Sequence, residues 1–119
     1  MQTHVLEQPY LRVSQLLKQL ESEIRGAGLW SEVAPDEKAL QSALSFCCDT
    51  LHFQQWLQFV FLPKMHTLIK HKQSLPSNML LLPMAEETLP VDNTHALKDV
   101  IGHLDAYFSQ LSMHSVVDA

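Results

Sequence analysis

The feature that most constrains this chain is a run of apolar residues that leaves a helix almost no face for water. Leu51, Phe53, Trp56, Leu57, Phe59, Val60, Phe61, Leu62, Met65, Leu68 and Ile69 follow one another within a single candidate helix. At helical spacing they point nearly all round the axis, so neighbouring elements must cover most of the segment. Such a helix belongs at the centre of a bundle. Pro63 lies inside it, where the ring removes one backbone hydrogen bond and crowds the carbonyl four residues earlier. A kink near Phe59 is expected. The most apolar stretch, Trp56 to Pro63, falls far short of the ~20 residues that span a bilayer and is accompanied by Gln54, Gln55 and Gln58.

The covering elements are also legible. Around Pro9, which suits a first helical turn, Leu6, Tyr10, Val13, Leu16, Leu17, Leu20 and Ile24 recur at three- and four-residue steps. The opposite face carries Arg12, Gln15, Lys18, Gln19, Ser22 and Arg25, and the helix should close at Gly26-Ala27-Gly28. Leu29 and Trp30 are then expected to fold back on the core. Pro35-Asp36-Glu37 resembles a helix start, and Ala39, Leu40, Ala43 and Leu44 give a short helix. Asp49 and Thr50 can accept hydrogen bonds from free amides and mark the start of the central helix, which should run to about Lys72. Pro76, Pro83 and Pro90 break up the next segment, leaving one turn around Met84 to Leu89. Met79-Leu80-Leu81-Leu82 is too apolar for a free loop and should close one end of the bundle. Asp92, Asn93 or Thr94 can cap a last helix with the stripe Leu97, Val100, Ile101, Leu104, Tyr107, Phe108 and Leu111, fraying from Ser115. Three glycines in 119 residues supply too few turns for an all-β chain. The reading is a single all-α domain over residues 1–119, a small helical bundle of three to four main helices with a proline-kinked central helix.

Charge narrows the partners. The formal net charge is −5 and the eight Lys and Arg are spread thinly, which argues against direct phosphate-driven nucleic-acid binding and against anionic membrane surfaces. The amino terminus lacks the charged start and apolar core of a signal peptide. Cys47 and Cys48 are adjacent and cannot close a loop without a strained ring, so they read as reduced thiols in a cytoplasmic protein.

Chemistry-bearing patterns are sparse. His95, Asp99 and His103 have the four-residue spacing of metal ligands, yet they fall opposite the apolar stripe of the last helix and without a fourth ligand, so no metal is expected. His66 and His71 point in different directions. There is no nucleophile motif, glycine-rich phosphate loop or Cys-x-x-Cys pair, so the reading is a non-enzyme with no catalytic residues and no cofactor. Lys64 is the least ordinary residue. On an ideal helix it falls among Phe53, Leu57, Val60 and Phe61, where it must snorkel, pair with Asp49, Glu86 or Glu87, or bind an anion, unless the Pro63 kink turns it outward. Trp30, Trp56, Phe59 and Phe61 exceed what a small core can bury, and aromatic surplus becomes interaction surface. The candidate binding patch is therefore Trp56, Phe59, Pro63, Lys64 and Met65, serving a protein partner or self-association.

The series Asp49-Thr50, Trp56-Leu57-Gln58 and Pro63-Lys64-Met65, followed by Leu75-Pro76 and Leu82-Pro83-Met84-Ala85-Glu86-Glu87, resembles the YqcC-like family over roughly residues 5 to 112. The resemblance implies a compact bacterial all-α bundle without a settled biochemical role and without catalytic residues. It also implies a tRNA pseudouridine synthase as recurring genomic neighbour, hence an accessory role in tRNA modification as the alternative to a general interaction protein. A small-molecule or anion binder beside the kinked helix is a further alternative. One departure is His52-Phe53, where relatives place an acidic residue and a proline.

Overall fold

A computed structural model describes the backbone of residues 2–42, 46, 50–77 and 79–118, and the side chains of 9–42, 46, 50–77 and 79–111. Helix α1 spans Gln2–Gly26 and buries Val13, Leu16, Leu17, Leu20 and Ile24 of the predicted stripe, while Tyr10 is half-buried and the Leu6 side chain lies outside the described residues. It begins seven residues ahead of Pro9, which is therefore inside the helix and not in its first turn. The bond forfeited is the one its N–H would have given to Val5, close to the helix end, where the loss disturbs little of the ladder. The closure is as expected. Gly28 is left-handed at φ 75°, and the Leu29 N–H reaches back to the Ile24 carbonyl at 3.0 Å, a Schellman arrangement. Leu29 and Trp30 pack against the core, with the Arg25 guanidinium 4.1 Å above the Trp30 ring.

The short helix expected after Pro35 reduces to a single 3-10 turn, Ala39–Gln41, because Ser42 turns to extended backbone at ψ 141°. Ala43, Leu44, Cys47, Cys48 and Asp49 lie outside the described residues. Thr50 does not begin the central helix; its hydroxyl donates to the Ala39 carbonyl at 2.6 Å. The start is His52, extended at ψ 154°, whose N–H is accepted by Gln55 Oε1 at 2.9 Å. His52-Phe53, the pair that departs from the family pattern, thus occupies the cap and the first helical position.

Three segments, Phe53–Trp56, Leu57–Phe61 and Leu62–Lys70, follow without a break and form α2. The middle one is a π-turn, in which the Leu62 N–H bonds the carbonyl of Leu57, five residues back. One extra residue in a turn retards everything after it by about 100°. On an uninterrupted α-helix Lys64 would share the face of Phe53 and Leu57; after the π-turn it is exposed, and Met65 takes the core position at 1% exposure. The wider turn also relieves the crowding that Pro63 would impose on the preceding carbonyls.

Helix α3 spans Leu82–Thr88, two residues ahead of the expected turn, with Pro83 in its first turn where a missing N–H costs nothing. Helix α4 spans His95–Asp118, continuing past Ser115. Thr94 precedes it, 1% exposed, with its hydroxyl bonded to the Pro90 carbonyl and its carbonyl accepting Lys98 N–H at 2.9 Å. Helices α1 and α4 pack along each other, and α2 and α3 close the bundle over them. Leu81, fully buried, seals the end that Met79 to Leu82 was expected to close, whereas Leu80 is 64% exposed. Among the described residues no helix is long and apolar enough to cross a membrane.

Candidate functional site

The predicted patch does not survive as one surface. Met65 is a core residue, because the π-turn carries it inward. Trp56 is half-buried and engaged within the fold: its ring stacks on Phe61 at 5.6 Å and on Phe53 at 6.0 Å, while Phe46 meets it edge-on at 4.8 Å. Phe59 is also half-buried. Pro63 and Lys64 alone of the five are exposed, so of the expected fates of Lys64 it is the outward turn that is observed.

Of the aromatic surplus, Trp56 and Phe61 are taken up by this cluster and Trp30 by the core, which leaves the half-buried Phe59. His95, Asp99 and His103 lie on the solvent side of α4, and His95 Nε2 stands 3.8 Å from Asp99 with both side chains largely exposed. No group of three potential metal ligands occurs among the described residues.

Two buried polar side chains that sequence reasoning passed over organise the fold. Gln58, 7% exposed, accepts the Ser31 N–H and donates to the Ser31 carbonyl, both at 2.8 Å, so the loop after α1 is clamped to the π-turn. Asp105, 7% exposed on α4, accepts the Leu81 N–H at 2.8 Å and the Leu82 N–H at 2.7 Å. It caps α3 from a different helix, supplying the acceptor that the start of α3 lacks in its own sequence. Burial pushes the Asp105 carboxyl above its usual range, and the two amide hydrogen bonds only partly offset that. A cavity of about 230 Å³ adjoins it, lined also by Ser77, Met79, Leu80 and Ser109. The signal for Asp105 was its position four residues after Ile101, on the apolar stripe.

A wider groove of about 500 Å³ runs between α1 and α4, bordered by Leu11, Arg12, Gln15, His103, Tyr107 and Gln110. Burial raises the Tyr107 phenol above its usual range, against the opposing pull of Arg12. The groove carries basic and neutral donors but is broad and open, and it lies away from Trp56 and Lys64.

The buried polar groups are thus occupied in holding the fold, and no buried side-chain polar atom among the described residues is left without a partner. Beyond these contacts the arrangement offers its exposed surface.

Comparison with known proteins places that surface in a family. Residues 12–107, most of the chain, match a family model (DUF446) described as tRNA pseudouridine synthase C. Protein YqcC of Escherichia coli is 34% identical over 82 residues, 69% of this chain and 75% of that protein. Its solution NMR structure superposes with a TM-score of 0.74 at 31% identity, covering 85% of this chain and 88% of the other. An uncharacterised protein of Haemophilus influenzae is 32% identical over 78 residues, 66% of this chain and 74% of that one. A tRNA pseudouridine synthase C of Pectobacterium carotovorum subsp. carotovorum is 40% identical over 65 residues, which are 55% of this chain but 17% of that protein. The chain therefore spans less than a fifth of that relative. With a family model over most of its length and the fold and sequence of YqcC in common, the chain belongs to the YqcC-like family.

Proposed function

We propose that this protein is a non-enzymatic accessory factor that acts by binding, and that its partner is a tRNA pseudouridine synthase. The observation that carries this reading is the match to the Pectobacterium synthase. There a segment like this one is covalently part of a far longer protein bearing the synthase's name, and two functions joined in one chain in one organism are commonly performed by associating chains in another. A bundle whose buried polar side chains, among the described residues, are engaged within the fold fits an accessory role better than a catalytic one. The half-buried Phe59 and the exposed Pro63 remain as candidates on α2 for binding the synthase.

The test is recovery of the tagged protein from its native cell at near-endogenous level, together with mapping of tRNA pseudouridine after deletion of its gene. The synthase should co-purify, and pseudouridine at the synthase's target position should fall. Failure of both, with the tagged protein shown to be folded, would refute the accessory reading.

A further inference from the structure

We infer that the solvent face of the second half of α2 docks the phosphate backbone of tRNA when this protein sits on its synthase; this deepens, and rests on, the accessory reading. The net charge of −5 conceals a strong segregation. No Asp or Glu occurs anywhere from Thr50 to Ala85, nor in α1 from Gln8 to Leu20. These two acid-free segments lie together: α1 packs against the second half of α2, and the Tyr10 hydroxyl donates to the Gln73 carbonyl at 2.9 Å. On the outer surface of the second half of α2 the exposed residues are Pro63, Lys64, His66, Thr67 and Lys70, followed by His71, Lys72 and Gln73 in the turn beyond it. Lys64 and Lys70 stand about 9 Å apart along the helix axis, and Lys72 follows in the turn just beyond the helix end.

The π-turn and the helix end are what assemble this face. Without the π-turn Lys64 would point inward with Leu57, so the extra residue adds a cation to the surface as well as a methionine to the core. At the other end Lys72 stands at φ 51° in a left-handed turn, with its own N–H on the Ile69 carbonyl and the Gln73 N–H on the Leu68 carbonyl. Glycine holds such a turn without strain, so a lysine there carries a conformational cost for its side chain. Among the described residues Lys64 and Lys70 form no ion pair.

Phosphate contacts need cations and hydrogen-bond donors on a rigid frame and read no sequence, which is what lysine supplies as a point charge. A protein partner would instead be expected to find an exposed aromatic or arginine anchor, and this face has none. Three lysines alone give weak, salt-sensitive binding. Held on a synthase that already grips the tRNA, the same face acts at high effective concentration, and its contribution adds to the synthase's own.

The experiment measures binding of labelled tRNA to the purified synthase of the same genome, alone, with this protein, and with its Lys64→Gln, Lys70→Gln variant, across a KCl series. The wild type should tighten tRNA binding by the synthase. The variant should lose most of that gain and flatten the log–log salt slope by about 1 to 2, with its melting temperature and its affinity for the free synthase unchanged. An undiminished gain with the same slope overturns the proposal. Loss of synthase binding in the absence of tRNA also overturns it, since the face would then meet an acidic protein surface. If wild type forms no complex with the synthase, the accessory reading has failed. The face is then judged on this protein and tRNA alone at low salt, where binding that the variant weakens supports it and no binding overturns it.

Discussion

Asp105 offers a test of what a carboxylate does when it caps a helix from inside a core. Replacing it with Ala removes both acceptor oxygens and leaves the N–H groups of Leu81, itself fully buried, and of Leu82 without partners. An orphaned buried donor costs about 1–3 kcal/mol, and water can enter from the adjoining cavity to recover part of that, so Asp105→Ala should destabilise the fold by about 2–4 kcal/mol. Asp105→Asn keeps one acceptor and sheds the charge. Because desolvation outweighs the amide bonds and raises the carboxyl's pKa, a neutral group is better tolerated here than in the unfolded chain, and Asn should cost under about 1 kcal/mol at pH 7. The same shift fixes the sign of the pH dependence. The native state binds the Asp105 proton more tightly than the unfolded state does, so this group's contribution is fully present below the ordinary aspartate pKa and is lost as pH rises through the raised native value. Urea midpoints for wild type, Asn and Ala between pH 3.8, the ordinary aspartate value, and pH 7 give the readout. Wild type should gain on Asn as the pH falls through that window. If Asn costs as much as Ala at pH 7, or if wild type loses ground to Asn on acidification, the charge itself holds α3 and the burial argument is wrong.

Other substitutions separate the fold from its surface. Phe108→Ala, at a fully buried site, should cost about 3–5 kcal/mol, and Trp56→Ala clearly less, about 2 kcal/mol, because Trp56 is half-buried; equal costs by urea melt would put Trp56 in the core. Gln58→Ala should cost about 1–3 kcal/mol by releasing both hydrogen bonds to Ser31, and Ser31 should then show faster amide exchange. Lys64→Met should move the urea midpoint by less than about 0.5 kcal/mol equivalent, as at other exposed positions, whereas a larger loss would show a structural role for the amine.

How much of this was legible follows from what each feature depends on. The α1 stripe, its glycine closure and the last helix are local, and period and turn chemistry are enough to read them. The helix start at His52 was obscured because Asp49 and Thr50 have the better capping side chains, but Thr50 is drawn to Ala39, a contact no local rule reports. The 3-10 turn at Ala39 likewise replaces a helix whose apolar spacing looked adequate. Asp105 was visible as an acid on an apolar stripe, yet its partners are the amides of Leu81 and Leu82, more than twenty residues away in sequence. The site was least legible where the helical phase changes. A wheel drawn at constant pitch through Leu57–Phe61 misplaces everything after it, which is why the sequence puts Met65 in the candidate patch and leaves the fate of Lys64 open among Phe53, Leu57, Val60 and Phe61.

That phase change invites the question whether Pro63 forces the π-turn or merely tolerates it. If the missing N–H of Pro63 were the cause, Pro63→Ala would restore a regular α-helix and rotate the segment 62–70 by about 100° relative to Phe53 and Leu57. Met65 would leave the core and Lys64 would approach it, sacrificing the burial of a methionine, about 1.5–3 kcal/mol, before the cost of the lysine is counted. Regularising one turn restores on the order of one backbone hydrogen bond, about 0.5–1.5 kcal/mol net. The balance favours the extra residue, so the π-turn should persist in Pro63→Ala. The Met65 methyl reports the outcome directly, since a soluble paramagnetic agent relaxes exposed methyl groups and spares buried ones. Equal protection of Met65 in wild type and Pro63→Ala means that core phase dictates the turn; strong relaxation in the variant alone means that the proline does.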